Sequence, residues 1–173
     1  NIATPAEGLT VFAVAAKPTD DHGFILGNVN AAGNFWMYFN ERTAADGNVR
    51  LDAQLATDVA GSRNASGIFG PSEPVFTAPK CVFFRYSSST GVRNLRDLTN
   101  GANLAVNTLT DKTIWMEEAT QNLRIGSPNT SGFAGSVDLA ALMIYRGYMS
   151  DADYATQYAW LQSYLSAYSG LTI

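Results

Sequence analysis

The chain has 173 residues, enough for a single domain with a sizeable core over 1–173. Only 15% of them are charged, against about a quarter in an average globular protein. The net charge of −4 and the scatter of its eleven Lys and Arg exclude the basic footprint of a nucleic-acid binder. No apolar stretch approaches the length of a membrane span, so membrane insertion is not expected. The start at Asn1, with neither a signal peptide nor an initiator Met, reads as a processed product or an excised domain.

Short apolar, β-branched and aromatic runs then follow one another in chain order. They are LTVFAVAA (9–16), GFILGNV (23–29), NFWMYFN (34–40), NVRLDAQL (48–55), KCVFFRYS (80–87) and KTIWMEE (112–118), and turn residues separate them. Asp46-Gly47 and Asn100-Gly101 are dipeptides that tolerate positive φ, and both predict tight turns of hairpins. The stretch from Ala60 to Pro79 is rich in Gly, Ser and Pro without clear alternation, and reads as one long loop with a short strand around Ile68-Phe69. Cys81 is the lone cysteine; no intrachain disulfide can form, and its apolar neighbours predict a small buried side chain.

A helix is predicted over about 150–167. Ser150 is its N-cap, Asp151 and Asp153 place negative charge at the positive end of the dipole, and Ser169-Gly170 ends it. Tyr154, Tyr158, Leu161 and Leu165 recur at helical spacing and should close one edge or end of a sandwich. No repeat, low-complexity tract or heptad pattern is present. The fold class expected from these elements is all-β: a two-sheet antiparallel jelly-roll sandwich with one C-terminal helix.

The tail carries a family resemblance. LRIG (123–126), the run GFAGSVDLAALMIYRGYMS (132–150) and the helix DADYATQYAWLQSYLSAY together resemble the closing segment of concanavalin A-like, laminin-G-like jelly rolls. The middle stretch VFFRYSSSTGVRNLRDLTNG (82–101) looks like the hairpin with a Tyr and an Asn-Gly turn found in such domains, though its spacing is longer. The chain departs from the pattern at Ala141, where an acidic residue often stands four positions before the closing Tyr145. The AWLQSYL helix also resembles those of sandwich domains in bacteriophage tail and other virion proteins. The resemblance implies a binding module rather than an enzyme.

The related glucanases carry alternating carboxylates on one strand, about 5 Å apart across the scissile bond. Here the acidic pair is Glu117-Glu118, whose adjacent side chains point to opposite faces, and no E-x-D-x-E spacing occurs. No G-x-S-x-G elbow or phosphate-binding glycine loop is present. His22, the one histidine, follows Asp20 and Asp21 in KPTDDHG, which reads first as turn chemistry. No cofactor is expected; calcium is the one ion for which oxygen ligands can be named, from Asp20, Asp21, Asn28 and Asn30.

Aromatic residues give the better functional signal, because sugar rings lay their C–H faces on Trp and Tyr while amides and Arg take the hydroxyls. Alternation in NFWMYFN puts Phe35, Met37 and Phe39 on the core face and Trp36, Tyr38 and Asn40 on the other. With Arg50 and Arg85 from neighbouring strands these form the candidate ligand-binding set; the competing expectation is that Trp36, as a large aromatic, is buried under a loop or against the C-terminal helix, and Trp115 and Trp160 read as core more strongly still. The expected function is therefore a non-catalytic binding or adhesion module recognising a cell-surface glycan or receptor. Its place would be a larger virion or extracellular protein at a cell surface. The alternatives are a structural assembly or decoration domain contacting sister chains and, third, a glycoside hydrolase-like enzyme.

Overall fold

The structure, a computed structural model, describes residues 8–19, 21–27, 35–41, 47–59, 62–109, 124–126 and 135–173. Two five-stranded antiparallel sheets pack face to face as a jelly-roll sandwich, with a helix laid on one of them. The first sheet has the order β10-β1-β6-β7-β8, built from β1 (Leu9–Lys17), β6 (Phe76–Tyr86), β7 (Val92–Asp97), β8 (Ala102–Thr108) and β10 (Asp138–Arg146). The second has the order β5-β4-β3-β2-β9, from β2 (Gly23–Gly27), β3 (Phe35–Glu41), β4 (Asn48–Val59), β5 (Ser62–Pro74) and β9 (Arg124–Ile125). The helix α1 spans Asp151–Ser169.

Period-two alternation decides what each strand buries. Phe35, Met37 and Phe39 of β3 and Val49, Leu51, Ala53 and Leu55 of β4 join Leu9, Val11, Ala13, Val82, Phe84 and Leu95 of the first sheet in one interior cluster. Between the sheets the rings of Phe35 and Phe84 stack at 5.3 Å. Arg93 of β7 adds a polar tie, donating to the Ser66 carbonyl of β5 at 2.7 Å.

β1 is buried along its whole length, which requires cover on both faces. Its second face, Phe12 and Val14, meets Cys81 and Phe83 of β6 and, from α1, Leu161 and Leu165 with Tyr154 and Tyr158 beside them. The predicted apolar stripe of the helix is thus the one buried, but it covers the middle of a sheet face rather than an edge or end. The reason is that the outward residues of central strands β1 and β6 are themselves apolar. Capping is as predicted: Ser150 Oγ accepts the Asp153 N–H at 3.2 Å, and Gly170 ends the helix at φ 67°.

The hairpins at the two predicted turns form, β3 pairing with β4 and β7 with β8, and Gly101 sits at φ 66°. Two expectations are overturned. The stretch read as a long loop is β5, paired with β4 from Val59↔Ser62 to Asn48↔Pro74. It is an edge strand, where proline is tolerated, and Pro71 falls in a bulge between the pairs Asp52↔Phe69 and Arg50↔Ser72. The ring of Phe69 folds back over Gly67, filling the place a side chain would take. Trp160, expected in the core, is 52% exposed. The helix turns Leu161 inward, so its neighbour 100° away faces solvent. The strand expected at 112–118, with Trp115, lies outside the described residues, as does Asp46.

Candidate functional site

On the outward face of the second sheet, β3 and β4 place Trp36 opposite Gln54, Tyr38 opposite Asp52 and Asn40 opposite Arg50. The ladder is closely bonded. Asp52, fully buried, accepts from Arg50 Nε at 2.5 Å, from the second Arg50 nitrogen at 2.7 Å and from Asn40 Nδ2 at 2.9 Å. Gln54 donates to the Tyr38 hydroxyl at 2.7 Å. Burial, then the Asp52 charge, pushes the Tyr38 phenol up to about 12. Arg50 also lies over the exposed ring of Phe69, at 4.5 Å. Trp36 and Tyr38 are 7% and 5% exposed and cluster with Phe24, so among the described residues the accessible part of this ladder is Asn40, Arg50 and Gln54, with Phe69 beside Arg50.

Four of the five candidate residues, Trp36, Tyr38, Asn40 and Arg50, therefore share this face. Arg85 does not: it stands on β6 in the other sheet, under the start of α1. There it donates to the Met149 carbonyl at 2.8 Å and pairs with Asp151 at 2.5 Å. Its guanidinium stacks over Tyr148 at 4.5 Å.

Next to it opens a pocket of ≈ 410 Å³. The end of β10 supplies Tyr145 and Arg146, the turn 147–149 supplies Tyr148, and α1 supplies Asp153, Thr156 and Gln157. Gly147 allows the turn at φ 94° and donates its N–H to the Gly8 carbonyl at 2.9 Å, and Thr10 Oγ1 donates to the Gly147 carbonyl at 2.8 Å. The wall is thereby fixed to β1. Tyr145 donates to Gln157 Oε1 at 3.1 Å, and Ser150 Oγ donates to Asp153 Oδ2 at 2.6 Å. Two phenol rings, an amide, a hydroxyl, a guanidinium and one carboxylate suit the hydroxyls and apolar faces of a small polar ligand. These residues went unseen in sequence because three separate elements build the pocket; the Gly147-Tyr148 turn after an apolar strand was the available signal.

The candidate cation ligands fare differently. Asp20, Asn28 and Asn30 lie outside the described residues. Asp21 pairs with the ammonium of Lys17, a side chain with no solvent exposure that also donates to the Thr19 carbonyl at 2.6 Å and hydroxyl at 2.9 Å. Burial pushes the Asp21 carboxyl up, but the bonds from Lys17 and Thr19 and the Lys17 charge outweigh it, leaving it below its ordinary value. Lys17 thus supplies the positive charge at this turn. Among the described residues no group of three or more His, Cys, Asp and Glu converges. Glu117 and Glu118 lie outside the described residues. Among the described residues no helix is long and apolar enough to cross a membrane.

No protein-family model matches the sequence, and no curated protein sequence matches it. Solved structures do match in fold. A carbohydrate-binding module of family 40 from a Ruminococcus gnavus sialidase aligns over 88% of this chain and 84% of its own, at TM-score 0.60 and 17% identity; it has also been solved with α2,3- and α2,6-sialyllactose bound. A heptameric SAP-like pentraxin from Limulus polyphemus aligns over 83% of this chain and 66% of its own, at TM-score 0.54 and 15% identity. Botulinum neurotoxin type C, whose cell entry depends on two ganglioside molecules, aligns over 92% of this chain and 37% of its own, at TM-score 0.58 and 10% identity. At these identities the likeness is one of fold, the jelly-roll sandwich.

Proposed function

We propose that the chain is a non-catalytic glycan-binding module of a larger extracellular or virion protein, acting at a cell surface. The observation that carries this reading is the pocket between β10 and α1, where Tyr145, Tyr148, Arg146, Asp153 and Gln157 combine stacking surface with hydroxyl-binding groups. Binding rather than hydrolysis is favoured because its wall holds one carboxylate among the described residues, and that one is engaged by Ser150. Sugar ligands of the similar folds support the class of ligand, and Asn40, Arg50 and Phe69 offer a second, smaller contact surface. Affinity per site is expected to be modest and raised by multivalency.

The test is a glycan array probed with the domain multimerised on beads, alongside Tyr148→Ala. Tyr148 is 37% exposed, so its loss should abolish capture while leaving Tm within a few degrees. Silence on every glycan would end this reading.

A second reading, an assembly domain contacting sister chains, is favoured by one observation. Trp160, Tyr164 and Tyr168 form an exposed stack along α1, with centroids 5.2 and 4.8 Å apart. If it operates, the purified domain oligomerises and Trp160→Ser with Tyr164→Ser returns it to monomer mass.

A further inference from the structure

On the helix-covered face of the first sheet, β6 and β7 set Arg85 opposite Asn94 and Phe83 opposite Arg96. Two guanidiniums therefore lie diagonally on one face, beside the first turn of α1. Tyr154 joins them, its ring centre 5.2 Å from the guanidinium carbon of Arg85 and 5.1 Å from that of Arg96. Its hydroxyl accepts from Arg96. Three buried side-chain atoms here lack any hydrogen-bond partner among the described residues: Nε of Arg85, Nε of Arg96 and Oδ1 of Asn94. Arg85 and Asn94 are 6% and 5% exposed, so bulk water does not serve them.

Charge is unbalanced in the same place. Arg96 has no acidic partner among the described residues, and the carboxylate paired with Arg85 is that of Asp151, whose side chain is 77% exposed against 8% for Arg85. A buried cation whose counterion stands in solvent keeps that counterion exchangeable. The positive end of the α1 dipole lies here too, already holding two carboxylates, of which Asp153 is bonded by Ser150 and Asp151 is the one a ligand anion would replace. Two orphaned donors beside one orphaned acceptor match an oxyanion with a neighbouring hydroxyl.

We propose that Arg85, Arg96 and Asn94 receive the carboxylate edge of an acidic sugar, and that Asp151 is a built-in occupant which the ligand displaces. The proposal rests on the glycan-binding reading and deepens it, because Tyr148 and Met149 both line the pocket and contact Arg85. The sugar ring lies in the pocket; its acid group passes Tyr148 as Asp151 swings out.

Calorimetric titration of the folded domain with D-glucuronate, D-glucose and inorganic sulphate, in the parent, Asp151→Asn and Arg96→Gln, tests it. Removing an exposed competing carboxylate should tighten glucuronate roughly two- to fivefold. Losing a charge-assisted donor in Arg96→Gln should loosen glucuronate about tenfold or more and leave glucose unchanged. Unchanged or weaker glucuronate binding in Asp151→Asn overturns the proposal. Equal binding of glucose and glucuronate in all three proteins overturns it too, while the glycan reading survives. Sulphate binding without any sugar binding overturns the sugar assignment and leaves an oxyanion site, the glycan reading being decided separately by the array.

Discussion

Asp52→Ala tests whether the outward ladder of the second sheet is a preorganised polar unit. Asp52 is fully buried and accepts three hydrogen bonds, two from Arg50 and one from Asn40. Removing one partner of a buried charge pair costs about 3–5 kcal/mol when the other is left stranded. Arg50 is 18% exposed in its side chain and keeps the Phe69 ring beneath it, so part of its hydration is recoverable. That recovery takes the cost to the bottom of this range or just below it, about 2–3 kcal/mol, which for a chain of this length is roughly 4–12 °C in Tm. Urea and thermal denaturation of Asp52→Ala, Arg50→Met and the double variant measure it. The double variant should be more stable than the sum of the singles implies, because no charge is then orphaned. The Tyr38 phenol should titrate below its present value of about 12, since the Asp52 charge is the second cause of its elevation after burial. A loss under about 0.5 kcal/mol, or strictly additive singles, would refute the reasoning.

Neighbouring residues of α1 should respond oppositely to truncation. Leu161→Ala opens a cavity against Phe12 and Phe83 and should cost about 2–4 kcal/mol in urea unfolding, whereas Trp160→Ser should cost under about 1 kcal/mol. Burial, then the nearby Asp97, pushes the Cys81 thiol from its ordinary 9.0 up to about 12. The native protein at pH 8 should therefore resist alkylation until it is unfolded. Because the folded value is raised, this thiol's contribution is fully present below pH 9 and is lost as pH rises toward 12, on the order of 4 kcal/mol in all. Asp21 has the opposite sign: its folded value is depressed, so its contribution is present above the ordinary carboxylate range and is lost as pH falls through the folded value. Asp21→Asn should flatten the acid limb of the stability curve; an unchanged limb would show that Lys17 does not depend on it.

Local rules made much of this protein legible from sequence. Alternation in NFWMYFN sorted Phe35, Met37 and Phe39 from Trp36 and Tyr38, because successive strand side chains must point to opposite faces. Ser150 and Gly170 bracketed the helix because its ends need a side-chain acceptor and a left-handed residue. Asn100-Gly101 marked a hairpin because its geometry needs positive φ. All three depend on neighbours within a few residues.

Tertiary structure decided the rest. β5 reads as loop because an edge strand tolerates Pro71, Pro74 and Gly67; its partner β4, not its own composition, makes it a strand. Arg85 parted from Arg50 because its strand joined the other sheet, and strand assignment depends on pairings such as Leu9 with Arg146, far apart in sequence. The pocket and the orphaned Arg85–Asn94–Arg96 group appear only once β10, the turn after it, α1 and the β6–β7 pair converge. Sequence by itself determined which side chains of one strand share a face, since that follows from the period of the backbone. The neighbour each face would meet was settled only by long-range packing, and the candidate site lies where those faces join.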